Sequence, residues 1–300
     1  MIIYTIVVTY NGSRWVDKCF GSLVNSSIPL NIIAIDNGST DNTPDIIRQK
    51  YPHVEVTETG NNLGFARANN IGIKRALEQG ADYVFLLNQD AWVEQDTIKI
   101  LVDAFKNISD AGIFSPVHLN GDYTNLDSGF RSYISHDNTP DFISDLYFNR
   151  LKEYYSTNFI NAAAWMISRK CIETVGGFDT SIFYHYGEDD NYCQRVLYHG
   201  FRIYIVPRTT ICHDRENRKD SVYIKENQTK ISFIKEYANI LTDDKILIKL
   251  FRKDLVRLFI KSIIHLRFKK LFHFGQDIQL CLKIKKSREL NKKGQMVWLQ

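Results

Sequence analysis

The chain has 300 residues, of which 44% are hydrophobic, 13% aromatic and 24% charged, with a net charge of +4. That composition excludes a disordered chain, no internal repeat supports a solenoid, and the length suits one large α/β domain with a smaller appendage. Five cysteines (Cys19, Cys171, Cys193, Cys212 and Cys281) stand apart with no CxxC pair, which argues against a zinc ribbon or disulfide framework and suits a reducing cytoplasm.

In chain order, short apolar runs bounded by turn residues alternate with helical patterns. The opening "MIIYTIVVTYNGSRW" has no basic leader and no small-residue cleavage site, so it reads as a first strand and not as a signal peptide. Strands are predicted at 2–9, 31–36, 54–59, 83–88, 111–116 and 201–207. Helices are predicted at 13–26, 41–51, 64–80 and 95–107, where apolar residues recur three and four apart. Thr43-Pro44 reads as a helix start, with an N-cap and a proline in the first turn. Residues 121–156 lose the pattern and read as an acceptor-side loop or lid, and regular structure resumes at "FINAAAWMISRK". From about residue 222 the chain reads as helical. No apolar run approaches the roughly 20 residues needed to span a bilayer.

This rhythm predicts a mostly parallel sheet with helices on both faces, whose ligands bind at the carboxyl ends of the strands. Polar clusters stand at three of those ends: Thr9-Tyr10-Asn11, Asp36-Asn37-Gly38-Ser39 and Asn88-Gln89-Asp90. Motifs for dinucleotides (GxGxxG), for the P-loop, for HExxH zinc and for a GxSxG nucleophile are all absent. Asn88 and Asp90, two apart on an extended segment, point the same way and offer oxygen to a hard divalent cation; alternatively, Asp90 caps the helix beginning near Glu94. In "YHYGEDDNYCQRVLYHG", Glu188, Asp189 and Asp190 open a helix. They either complement the helix dipole or supply a general base.

The segments "TIVVTYN", "IIAIDNGSTDNT", "NNLGFARANNIGIKRAL", "FLLNQDAWV" and "GGFDTSIFYHYGEDDNYCQR" resemble, in order and approximate spacing, those of family 2 glycosyltransferases with the GT-A fold. The likeness covers roughly residues 1–215 and is strongest to bacterial surface-polysaccharide enzymes, rhamnosyltransferases included. It implies that Thr9 and Asp36, with Asn11 and Asp41 nearby, lie by the nucleotide base, and that Gly64 and Asn69 belong to the stretch approaching the ribose and diphosphate. Asp90 would hold Mg²⁺ or Mn²⁺ with Asn88 as its partner, and His213 falls where relatives place a histidine near the metal. Asp189 matches the catalytic base, although Asn191 departs from the acid common two residues later. Arg195 matches a family position that either packs or faces the diphosphate. Glu188 and Asp179, the latter in the "GGFD" segment, fall on the acceptor side, where Trp165 either lines the pocket or belongs to the core.

The expected activity is metal-dependent, inverting transfer from a UDP-, dTDP- or GDP-linked sugar to a saccharide or polyprenyl-linked acceptor, in capsule, O-antigen or other surface polysaccharide synthesis. The alternatives are a nucleotidyltransferase, for which "VVTYNGSRW" supplies no glycine-rich basic loop, and a catalytically silent protein of the same fold. Residues 1–221 are expected to form the catalytic domain, with a nucleotide-sugar half at 1–115 and an acceptor half at 116–221; a basic helical extension would occupy 222–300. Residues 241–300 hold 15 Lys or Arg against 5 Asp or Glu, so the body before them is net acidic. Leu247, Ile248, Leu250, Phe251, Leu255, Leu258 and Phe259 recur beside Lys249, Arg252, Lys253, Arg257 and Lys261. That pattern suits either a helix on the inner face of the plasma membrane or one packed on the domain. An acidic body without a recognised module argues against nucleic acid.

Overall fold

The computed structural model describes residues 1–215, 222–249, 252, 256 and 268–299. Its elements run β1 (Ile3–Thr9), α1 (Val16–Val24), β2 (Asn31–Asp36), α2 (Thr43–Lys50), β3 (Glu55–Glu58), α3 (Phe65–Glu78), β4 (Tyr83–Asn88), β5 (Ala91–Val93), α4 (Thr97–Ala104), β6 (Ala111–Asn120), α5 (Ser128–Tyr133) and α6 (Phe142–Tyr147). They continue with β7 (Tyr155–Thr157), β8 (Ala164–Ser168), α7 (Arg169–Val175), α8 (Glu188–Tyr198), β9 (Arg202–His213), α9 (Val222–Ala238) and α10 (Phe268–Lys293).

Among the described residues one sheet has the order β3-β2-β1-β4-β8-β6-β9-β5, with β7 also paired to β9. Strands β3, β2, β1 and β4 are parallel, so their carboxyl ends share one edge. The apolar runs of β1, β2 and β4 are buried on both faces, as a sheet covered by helices requires, while β3 at the sheet edge is only half-buried. One apolar layer forms under α1 and α4, where Val16, Cys19, Phe20 and Leu23 repeat at helical spacing; the other lies under α3, α7 and α8.

All six predicted strands form. The sheet is more mixed than expected, because β8 runs antiparallel between β4 and β6, and β5 and β7 run antiparallel to β9. Two details of the helix starts also differ from expectation. Asn42 occupies the N-cap of α2, and Thr43 is its first helical residue, with its hydroxyl turned to Asp41. Helix α4 begins at Thr97 with Asp96 at its N-cap, so Asp90 is not its cap; it sits in the tight turn between β4 and β5.

The described part of the C-terminal region packs on the body. Ile182 and Phe183 meet Ile234, Tyr237, Leu247 and Ile284, and Leu299 joins the same core as Trp165 and Phe178. No described helix is long and apolar enough to cross a membrane. Of the basic amphipathic stretch, Leu250, Phe251, Lys253, Leu255, Arg257, Leu258, Phe259 and Lys261 lie outside the described residues.

Asp179 holds this junction together. Its carboxylate, 0% exposed, accepts from Ser181 N (2.9 Å), Ser181 Oγ (2.7 Å), Asn291 Nδ2 (3.0 Å) and Ser287 Oγ. Asp179→Ala leaves buried donors on α10 unpaired and is expected to cost about 3 kcal/mol or more. A lowered melting temperature, with faster proteolysis at α10, is the expected readout.

Candidate functional site

The polar strand ends meet as anticipated. Thr9 pairs with Asp36 across β1 and β2, and Thr9 Oγ1 donates to Asp36 Oδ1 at 2.9 Å. The other Asp36 oxygen accepts from Ser39 N at 2.9 Å. Asn11, exposed and in a left-handed conformation (φ 47°), takes Thr40 N on its Oδ1 at 2.8 Å, while Asp41 takes Ser13 N and Thr43 N. Asn37, a residue sequence reasoning did not single out, accepts from Leu63 N at 2.8 Å and so ties this edge to the loop before α3. Gly64 caps that loop at φ 84°. A Cβ there would lie 2.6 Å from the carbonyl oxygen of Tyr184, so only glycine lets the two loops touch.

The β4–β5 turn and the end of β9 form the next group. Asn88 and His213 are 125 residues apart, yet Asn88 Nδ2 lies 3.4 Å from His213 Nε2, and Asp90 Oδ1 lies 3.4 Å from the same nitrogen. Register explains the meeting: Ala91 pairs with His213, and the Asp90 carbonyl accepts from Asp214 N at 2.8 Å. Asp90 and His213 are both buried. A carboxylate oxygen and an imidazole nitrogen at this separation fit adjacent corners of an octahedral Mg²⁺ or Mn²⁺, whose ligands at about 2.1 Å stand about 3 Å apart.

Behind His213 lies a set of residues that sequence reasoning missed. Asp127 caps α5 through Phe130 N (2.8 Å) and is gripped by Arg215 through two bonds of 2.6 Å. Burial opposes the charge on Asp127, but Arg215 and the Phe130 N–H outweigh it and hold its pKa below the usual carboxylate range. His118 lies beside them with its Nε2 3.0 Å from Ser115 Oγ, and burial pushes its pKa down to about 3. In the sequence, the only trace of this set is Asp127 ahead of a short helical run and an arginine two residues after His213.

The acidic cluster opens α8. Glu188 is buried and Asp189 half-buried, while Asp190 N donates to Asp189 Oδ1 at 2.9 Å and Asp190 pairs with Lys235 of α9. Burial, and then the adjacent carboxylates, raise the pKa of both Glu188 and Asp189 above the ordinary range. Tyr133 of α5 lies in the field of both groups: burial followed by the Asp189 carboxylate pushes its phenol up to about 12, and Arg215 opposes the shift.

A carboxyl whose folded-state pKa is raised destabilises the fold once pH exceeds its ordinary value. Glu188→Gln is therefore expected to raise the melting temperature by about 2–4 °C at neutral pH. The gain should shrink as pH falls towards the ordinary glutamate range, and thermal scans across pH measure it.

Two acceptor-side expectations are corrected. Trp165 is 0% exposed, stacked on Phe178 (6.1 Å, 17°) and packed against Tyr192, and is a core residue. Asp179 faces α10 instead of a pocket, because its oxygens are taken up by Ser181, Ser287 and Asn291. Arg195 also packs: its buried guanidinium donates to the carbonyls of Gly177 (2.6 Å) and Val175 at the end of α7. Asn69 is buried and donates to Phe65 O at 3.0 Å within its own helix, whereas its neighbour Asn70 bonds Phe178 N (2.7 Å) and Phe178 O (2.8 Å).

Residues 4–176 match the family model described as "Glycosyl transferase family 2". The chain is 25% identical over 222 residues to the dTDP-rhamnosyl transferase RfbF of Shigella flexneri, covering 70% of this chain and 68% of that one. It is 25% identical over 242 residues to the N-acetylglucosaminyl-diphospho-decaprenol L-rhamnosyltransferase of Mycobacterium tuberculosis, covering 71% and 76%. Among solved structures, the fold resembles the mannosyltransferase PcManGT of Pyrobaculum calidifontis in complex with GDP-Man and Mn²⁺, with a TM-score of 0.57, 17% identity and coverage of 95% and 86%. It also resembles S. aureus TarS 1–349 in complex with UDP-GlcNAc, with a TM-score of 0.59, 16% identity and coverage of 81% and 68%.

Proposed function

This chain belongs to glycosyl transferase family 2 and transfers a sugar from a nucleotide-sugar donor, and from that premise we propose an inverting, cation-dependent reaction with Asp189 as general base. The observation that carries the reading is the meeting of Asn88, Asp90 and His213 at the strand ends, with a carboxylate oxygen and an imidazole nitrogen 3.4 Å apart. Asp90 and His213 would hold Mg²⁺ or Mn²⁺, with Asn88 beside them. Such a cation, when bound, neutralises charge on the departing diphosphate. Thr9, Asn11, Asp36 and Asp41 frame the pocket for the nucleotide base, Gly64 keeps its far wall close, and Asn69 braces the helix behind it.

Asp189 takes the proton from an acceptor hydroxyl as that oxygen attacks the anomeric carbon. The bond to the diphosphate breaks on the opposite face, so the anomeric configuration inverts without a covalent sugar–enzyme intermediate. Glu188, next to the base, belongs to the acceptor side, while burial and then Asp190 keep the pKa of Asp189 high. Family membership sets aside the nucleotidyltransferase reading.

The names of the two rhamnosyltransferase relatives make a dTDP-linked rhamnose the first donor to try, and the decaprenol-linked substrate in one of them supports a lipid-linked acceptor. An acceptor of that kind would be met at the inner face of the plasma membrane during synthesis of a bacterial surface polysaccharide. Residues 1–115 would then serve the donor and 116–221 the acceptor, with the C-terminal helices as a brace on both.

The test is release of nucleoside diphosphate from a panel of dTDP-, UDP- and GDP-sugars, followed chromatographically with Mn²⁺ or with EDTA. Turnover of one donor class that EDTA abolishes is expected. Turnover undiminished by EDTA would overturn the cation-dependent mechanism.

A further inference from the structure

We infer that Asp127 is a positioning residue for His213, holding the imidazole so that Nε2 faces Asp90 and seating helix α5 on the same anchor through Arg215. The inference rests on the reading of Asp90 and His213 as cation ligands.

The two ring nitrogens of His213 face different partners. Nε2 lies 3.4 Å from both Asn88 Nδ2 and Asp90 Oδ1, and Nδ1 lies 3.6 Å from Asp127 Oδ2. With the proton on Nδ1, the N–H lies beside the Asp127 carboxylate at 3.6 Å, an electrostatic contact longer than a hydrogen bond, and the Nε2 lone pair accepts from the Asn88 amide or binds a cation. The other tautomer sets a lone pair against the Asp127 carboxylate and presents an N–H where a cation would sit. Asp90 Oδ1 at 3.4 Å draws a proton to Nε2 as Asp127 draws one to Nδ1; with a cation between Nε2 and Asp90 only Nδ1 can keep the proton, and the fixed charge of Asp127 then stabilises the ligating tautomer and orients the ring.

Asp127 is suited to that work because it cannot turn away. It is wholly buried, Arg215 takes both of its oxygens at 2.6 Å, and Phe130 N takes one again at 2.8 Å. Arg215 in turn touches α5 directly: a Cβ on Gly129 would fall 1.7 Å from Arg215 Nη2.

Two other uses of the cluster fit less well. His118, Asp127 and His213 bring ligand atoms within 4.8 Å of one another, as a buried metal site would. Yet Arg215 already occupies both Asp127 oxygens and sets a guanidinium charge where a second cation would be repelled. Helix capping alone explains the bond to Phe130 N but not the buried ion pair under His213, and serine would cap as well.

That last point gives the test. Asp127→Ser keeps the cap and removes the carboxylate, and Asp127→Ser with Arg215→Gln also removes the cation left unpaired. Binding of Mn²⁺ alone, followed by electron paramagnetic resonance, is expected to weaken on the order of 10–100-fold in both variants. A purely structural Asp127 would lower the melting temperature yet leave the Mn²⁺ affinity of the folded protein unchanged, and that result in either variant overturns the inference. If wild-type Mn²⁺ binding is instead indifferent to Asp90→Ala, the ligand reading beneath it falls as well, so the two failures are distinguishable.

Discussion

Asp189→Asn is expected to lower the rate of sugar transfer by about 10³-fold or more, with donor binding unchanged within about twofold. The substitution is nearly isosteric and keeps an oxygen to accept from Asp190 N, which now lies 2.9 Å from Asp189 Oδ1. What it removes is the ability to take a proton. Burial in the first turn of α8, reinforced by Asp190, makes Asp189 a stronger base than a free aspartate while leaving it ionised when deprotonated. Wild-type kcat/KM should consequently rise with pH along a limb displaced above the ordinary aspartate range. The residual activity of the asparagine variant should lack that limb. A variant that transfers sugar at the wild-type rate would remove Asp189 from the mechanism.

Asp90→Ala has the other large effect. Transfer is expected to fall by about 10³-fold or more, together with the stimulation by Mn²⁺, because a cation on the diphosphate contributes several kcal/mol to the transition state. The fold should survive, since in the bond that sets the turn Asp214 N donates to the Asp90 backbone carbonyl at 2.8 Å and the carboxylate is not used. Circular dichroism separates the two effects. A folded Asp90→Ala protein that still responds to Mn²⁺ would mean that the cation is held elsewhere.

The parts of this site that were legible in the sequence are those set by local pattern. Apolar runs ending in Thr9, Asp36 and Asn88 mark strand ends, and their parallel pairing puts them on one edge. Whether Asp90 caps a helix or faces a ligand was not legible, because the answer depends on β5, a three-residue strand too short to show a period. Asp127 was hidden for a different reason: it sits in an irregular stretch, and its partners His213, at the end of β9, and Arg215, just past it, come 86 and 88 residues later. Asp179 was misplaced because its neighbours in the "GGFD" segment suggest a pocket, whereas Ser287 and Asn291, the residues that engage it, stand on a helix whose lysines dominate the pattern. Burial of Trp165 follows from β8 lying between β4 and β6, a pairing that no local signal encodes.

The most direct test of the whole account is isothermal titration calorimetry of UDP, GDP and dTDP, with and without Mn²⁺, into wild type, Asp90→Ala and Asp189→Asn. A cation-bridged donor site predicts that one nucleotide binds wild type only with Mn²⁺, binds Asp189→Asn in the same way, and fails to bind Asp90→Ala. Binding that is equal with and without Mn²⁺ in wild type, and unaltered in Asp90→Ala, would contradict it.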